Sequence, residues 1–228
     1  MQIPKKSVSN SMAMSMAEDY RGIISARAFN MIIGLCLFYG FGINALMVKF
    51  CYPMMETMNP IVFLIGYFIS CFAGIALYKN SDNPVVSFLG YNLVVLPIGL
   101  LLCLALNSGG YSTDIIMNAM LATAVVSLLM MLAGTIFPDF FKSLGRTLFF
   151  SLLALIIVEL VMMFLGFYSG IVDWIAVGIF SLYIGFDWAR ANEVTPTIDN
   201  AIDVCVELYL DIINLFLRIL SILAKSDD

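Results

Sequence analysis

Histidine is absent from this chain, and charge is scarce: 12% of the 228 residues are Asp, Glu, Lys or Arg. The lack of histidine excludes His-ligated zinc, Ser-His and Cys-His nucleophiles, and imidazole-based pH switching. Lys and Arg number 11 against 16 acids, a net charge of −5, so the chain has no basic face for nucleic acid. The five cysteines include no CxxC pair, and four lie in apolar runs. They read as small buried hydrophobes rather than a disulfide framework.

What replaces these groups is hydrocarbon. Hydrophobic residues make up 62% of the chain, with 18 Phe and 15 Met. A soluble domain runs at about 45–50% apolar and about 25% charged. The composition therefore predicts an all-α polytopic membrane protein. A spanning helix needs about 20 mostly apolar residues. Seven runs qualify: 29–48, 61–78, 85–106 with Pro97 inside it, 115–137, 147–167, 171–188 and 204–224. Residues 1–27 read as a polar tail and 28–225 as one seven-helix membrane domain. The tail has no apolar core of the kind a signal peptide carries.

Cationic side chains orient the bundle. With the N-terminus in the cytoplasm, the inner segments hold Lys5, Lys6, Arg21, Arg27, Lys79, Lys142, Arg146 and Arg190. The outer segments hold Lys49 and Lys225. The expectation is an N-terminus inside and, with seven spans, a C-terminus outside.

An ionisable residue inside a span is costly and points to function. Five stand out: Glu159, Asp187, Glu207, Asp211 and Arg218. In the seventh run Glu207, Asp211, Asn214, Arg218 and Ser221 are spaced 4, 3, 4 and 3, which puts them on one helical face. Such a stripe would not face lipid, so the last helix is expected at the centre of the bundle. Asp187 and Asp211 can approach each other near the cytoplasmic side. Two carboxyls sharing one site cannot both ionise cheaply and can share a proton. The competing reading has Asp187 facing water and Asp211 bonding a hydroxyl. Glu159 and Arg218 lie at similar depth on parallel spans and are expected to pair. Asp114, Asp173 and Glu56 read as outer-loop carboxylates in solvent. The stretch 189–203 reads as a solvated acidic connector, with Asp199 or Asn200 capping the last helix.

The sequence Ser181-Leu-Tyr-Ile-Gly-Phe-Asp187, together with Leu208-Tyr-Leu-Asp211-Ile-Ile-Asn214-Leu-Phe-Leu, resembles the signature of the transmembrane Bax inhibitor motif (Bax inhibitor-1) family. Ala122-Thr-Ala followed by Asp139-Phe-Phe-Lys-Ser-Leu-Gly145 resembles a second stretch of that family. The resemblance covers residues 28–225 and implies a seven-helix bundle around its last helix. It also implies a pH-sensitive calcium leak, with Asp187 and Asp211 as the gating pair and as transient calcium ligands. Calcium would be the transported ion, with no resident cofactor. The partners implied are the bilayer, calcium and protons. A monomer in a bacterial plasma membrane fits best. The chain departs from bacterial relatives at the end of span two, where Lys79 stands alone, so a latch partner for Asp187 would be Lys79 or Arg190. Glu159 and Arg218 match no family position.

Three other readings compete. An intramembrane aspartyl protease would use two aspartates, but Gly185-Phe-Asp187 and Tyr209-Leu-Asp211 fit its motifs poorly, so no enzyme is expected. A non-conducting regulator would act on a partner membrane protein or protease through the tail or the 189–203 connector. Proton-coupled calcium exchange would need outer acidic receivers, and the sequence has no EF-hand loop.

Overall fold

The computed structural model describes residues 22–167 and 169–226. Most of the expected polar tail lies outside the described residues, as does Tyr168 in the fifth-to-sixth connection. The described part is helical: α1 Ala26–Phe50, α2 Tyr52–Glu56, α3 Pro60–Lys79, α4 Pro84–Ser108, α5 Thr113–Ile136, α6 Pro138–Ser143, α7 Gly145–Leu165, α8 Gly170–Ala191 and α9 Ile198–Ser226.

Six helices are long and apolar enough to cross a membrane: α1, α3, α4, α5, α7 and α8. These match the first six expected spans: α1, α3, α4 and α8 extend beyond the runs at both ends, while α5 and α7 start two residues earlier and stop at Ile136 and Leu165, one and two residues short of the runs 115–137 and 147–167. The seventh differs in kind. α9 runs 29 residues, about 44 Å at 1.5 Å per residue, but carries six ionisable side chains. It is too polar to qualify by composition, and packing rather than hydropathy sets its place. It lies against α8, α1, α5 and α4. Fourteen of its residues are buried, including Leu208, Tyr209 and Leu215, which have no exposure. The last helix is therefore central, and its polar stripe turns inward, with Asp211 buried and Glu207, Asn214, Arg218 and Ser221 part-buried.

Local chemistry fixes the helix ends. Ser25, Asn59, Asn83 and Ser112 accept hydrogen bonds from first-turn amides of α1, α3, α4 and α5. Proline opens α3, α4 and α6, where its missing N–H costs nothing. Gly166 closes α7 with φ +67°, a left-handed position that glycine takes without strain.

Small residues let the helices touch backbone to backbone, as in membrane helix pairs generally. A Cβ at Gly74 would stand 2.5 Å from the Gly90 carbonyl oxygen, and one at Gly90 2.7 Å from that of Gly74, so α3 and α4 cross there. A Cβ at Gly134 would stand 2.5 Å from the Gly185 carbonyl oxygen, which marks the α5–α8 crossing. The opposite side of Gly185 is filled by the Phe141 ring from α6. The flanks of the spanning helices expose large apolar residues such as Phe38, Phe72, Leu128 and Phe164, as a lipid-facing shell requires.

Candidate functional site

The polar stripe of α9 meets partners at three levels. At the level of its first turns, Ile198 opens the helix and Thr197 caps it, its Oγ1 accepting the Asn200 amide at 3.1 Å. The connector is shorter than expected, running only from 192 to 197, because α8 continues to Ala191. Asp199 is thus neither the cap nor solvated. It is buried, and its Oδ1 accepts the Ser87 hydroxyl of α4 at 2.7 Å. Glu193 does face solvent and takes the Lys142 ammonium at 2.5 Å, while Asp139 takes it at 3.0 Å. The Glu193 bond, then the Asp139 bond, holds the Lys142 ammonium above the usual lysine range.

At the middle level, Asp187 of α8 and Asp211 of α9 come together. Both are buried, with 6% and 9% of their surface exposed, and their carboxyls are within hydrogen-bonding reach of each other. Arg190 lies one turn beyond Asp187 and touches it at 3.7 Å; the same Nη1 reaches Glu207 at 3.5 Å. Lys79 makes no ion pair among the described residues and sits over the Tyr78 ring, 5.8 Å from its centroid. Of the two latch candidates, Arg190 is the one in contact with Asp187. Asn214 turns back on its own helix, donating to the Leu210 carbonyl at 2.8 Å. Gly185 positions this level. Pinned between Gly134 and Phe141, it fixes the α8 turn that carries Asp187.

At the level of its last turns, Arg218 binds Glu159 of α7 at 2.6 Å. Its Nη1 also reaches Asp173 of α8 at 3.3 Å. Asp173 corrects the sequence reading most sharply. Instead of a solvated loop carboxylate, it is a buried side chain in the first turn of α8, with 1% of its surface exposed. Ser221 donates to it at 2.8 Å and Lys225 at 3.1 Å. The sequence signal was there: Arg218, Ser221 and Lys225 share a face of α9 at spacings of 3 and 4, and they need an acid opposite.

A fourth polar group lies beside the stripe and was not anticipated. Asn44 of α1, 3% exposed, donates to the Tyr209 hydroxyl. Tyr209 stands edge-on to Tyr91, whose hydroxyl donates to the Cys36 carbonyl at 2.8 Å. An asparagine inside an apolar run is the only sequence mark of this cluster.

Among the described residues, no three acidic or cysteine side chains converge closely enough to hold a metal ion. Asp187 and Asp211 alone offer a cation two carboxyls, fewer oxygens than calcium takes when held for long.

The comparisons agree with this architecture. A family model described as "Inhibitor of apoptosis-promoting Bax1" matches residues 23–228. An uncharacterized membrane protein of Streptococcus pyogenes serotype M1 is 26% identical over 203 residues, which is 86% of this chain and 85% of that one. An uncharacterized protein of Helicobacter pylori strain ATCC 700392 / 26695 is 34% identical over 88 residues, so the chain spans 37% of that relative's length. A match running from the start of α1 through α9, on a helical bundle with the Asp187–Asp211 pair inside it, places this multi-pass membrane protein in the Bax inhibitor-1 family.

Proposed function

We propose that the protein is a pH-sensitive calcium leak channel, with the Asp187–Asp211 pair as its proton sensor and gate. The observation that carries this reading is the meeting of two buried carboxyls on neighbouring helices, flanked by the Arg190 guanidinium. Buried charges at membrane depth are costly and are kept where ions or protons pass. A shared proton holds such a pair together, and its loss sets two anions against each other. α8 and α9 then have reason to part at this level. The ion crosses along the polar face of α9 without a resident cofactor. The N-terminus lies in the cytoplasm, the membrane is a bacterial plasma membrane, and the working unit is the monomer. The aspartates act on ions and protons rather than on a peptide bond.

The test is calcium entry into dye-loaded liposomes carrying the purified protein, across a pH series, beside Asp211→Asn. A leak that depends on pH in the wild type and loses that dependence in the variant supports the pair as sensor. No flux at any pH from folded protein refutes the channel and favours a regulator acting on a partner membrane protein.

A further inference from the structure

The acidic part of the α9 stripe extends further than a proton sensor needs. From Asp199 it continues through Asp203 and Glu207 to Asp211 in steps of four residues, about 6 Å each along the axis. Asp203 lies half-buried beside the Ser87 hydroxyl, within electrostatic reach of Asp199, Glu207 and Lys79. Glu207 follows one turn later, with Arg190 at 3.5 Å. Asp211 heads the series, nine-tenths buried and within electrostatic reach of Glu207.

The outer end of the same helix shows how this protein treats a carboxylate that serves structure. Both oxygens of Asp173 are engaged, Oδ1 by Arg218 and Oδ2 by Ser221 and Lys225. The inner end does not follow that pattern. Oδ1 of Asp203 and Oδ2 of Asp211 are enclosed and receive no hydrogen bond. An enclosed carboxylate oxygen without a donor is costly. Ser87 stands beside Asp203 and Asp187 beside Asp211, yet each carboxylate keeps one enclosed oxygen unanswered, and these two, on one face two turns apart with Glu207 between, call for a positive partner. Among the described residues Arg190 is the one guanidinium ion-paired with the series, and it touches Glu207 and Asp187. Being tethered three residues from Asp187, it can yield its place to a mobile cation without leaving the site.

We propose that Asp199, Asp203 and Glu207 form a low-affinity relay for divalent cations, leading between the cytoplasmic face and the Asp187–Asp211 pair. This rests on the leak reading above. Carboxylate and hydroxyl oxygens suit a hard divalent cation such as calcium. Since no three carboxylates among the described residues converge to hold an ion, each stop gives one or two oxygens and water supplies the rest. The ion is held weakly and moves on, and Arg190 competes with it for Glu207.

The test uses full-length protein in lipid nanodiscs, with Mn2+ alone as the probe and its free signal read by electron paramagnetic resonance. Wild type is expected to bind Mn2+ with a Kd of about 10⁻⁴–10⁻³ M, the range of weak oxygen sites, and to release it to Ca2+. Asp203→Asn is expected to weaken binding about 5- to 10-fold, and Asp203→Glu to restore it. Asp114→Asn, at an exposed carboxylate in the first turn of α5, is expected to leave binding unchanged. Unchanged Mn2+ binding in Asp203→Asn overturns the relay, and so does a loss that Asp203→Glu does not restore. Calcium flux through liposomes of the same preparations separates the two readings. Wild-type flux without Asp203-dependent binding sinks the relay and spares the channel. Asp203-dependent binding without flux at any pH sinks the channel, and with it the relay as a route.

Discussion

Replacing Arg218 by Gln removes the cation that joins α7, α8 and α9 near the C-terminal end of α9. Glu159 then loses its bond at 2.6 Å, and Asp173 its contact at 3.3 Å. Asp173 keeps Ser221 and Lys225 but sits with only 2% of its side chain exposed, so water cannot make good the loss. Breaking a buried ion pair by removing one partner costs about 3–5 kcal/mol. At about 2–4 °C per kcal/mol for a chain of this size, Tm should fall by about 6–20 °C. Asp173→Asn should cost less, because Arg218 retains Glu159 and Lys225, 46% exposed, turns to solvent. Glu159→Gln should cost least, since its side chain is 32% exposed and Arg218 keeps Asp173. The order Arg218→Gln, Asp173→Asn, Glu159→Gln is the signature of one shared cation. The triple variant Glu159→Gln, Asp173→Asn, Arg218→Met should recover much of the loss, since no uncompensated charge then stays buried among these three. Thermal unfolding in detergent, followed by helical circular dichroism, reads all four. Single effects that simply add, with Arg218→Gln within about 2 °C of wild type, would refute the reasoning.

Three further outcomes are expected. Gly134→Ala drives a methyl into the Gly185 carbonyl, which cannot swing away as a side chain can; overpacking of this kind costs about 1–3 kcal/mol, read as a lower Tm, and the pH response of the leak should change with it because Gly185 carries the Asp187 turn. Tyr209→Phe strips the buried Asn44 amide of its acceptor and should cost about 1–3 kcal/mol by the same melt, with Asn44→Leu in the same chain restoring stability. A fluorescent-protein fusion after Asp228 should stay dark and an alkaline-phosphatase fusion should be active if α9 crosses the membrane; the reverse pair of results would make α9 re-entrant.

The six apolar helices were legible because hydropathy alone marks them: runs such as 61–78 contain no charged residue to compete with it. The central place of α9 was legible for the opposite reason, since a polar stripe at spacings of 3 and 4 has nowhere to go but inward. The 3.6-residue period also carried the face shared by Glu207, Asp211 and Arg218. What the period could not give was the partner on another helix. Asp173 looked like a loop residue because it stands only three positions into α8, and burial at a helix start depends on what packs above it. Asp199 misled in the same way: its place before the last apolar run suits a cap, and only the approach of α4 with Ser87 makes it a buried acceptor. Asn44 and Tyr209 are separated by 165 positions, a distance over which periodicity carries no information.

The order in which the helices are made also matters. Ile24 donates its amide to the Pro196 carbonyl at 2.8 Å, so the entry to α1 is fastened to the connector that precedes α9. The ribosome delivers that connector and the most enclosed helix after α1 to α8, which surround or flank them. Until then Asp173 and Asp187 have no α9 to answer them, and the α1 entry has nothing to grip. The unfinished bundle is a shell around an unfilled axis. Its completion depends on residues 192–226 arriving while the surrounding helices are still free to close around them.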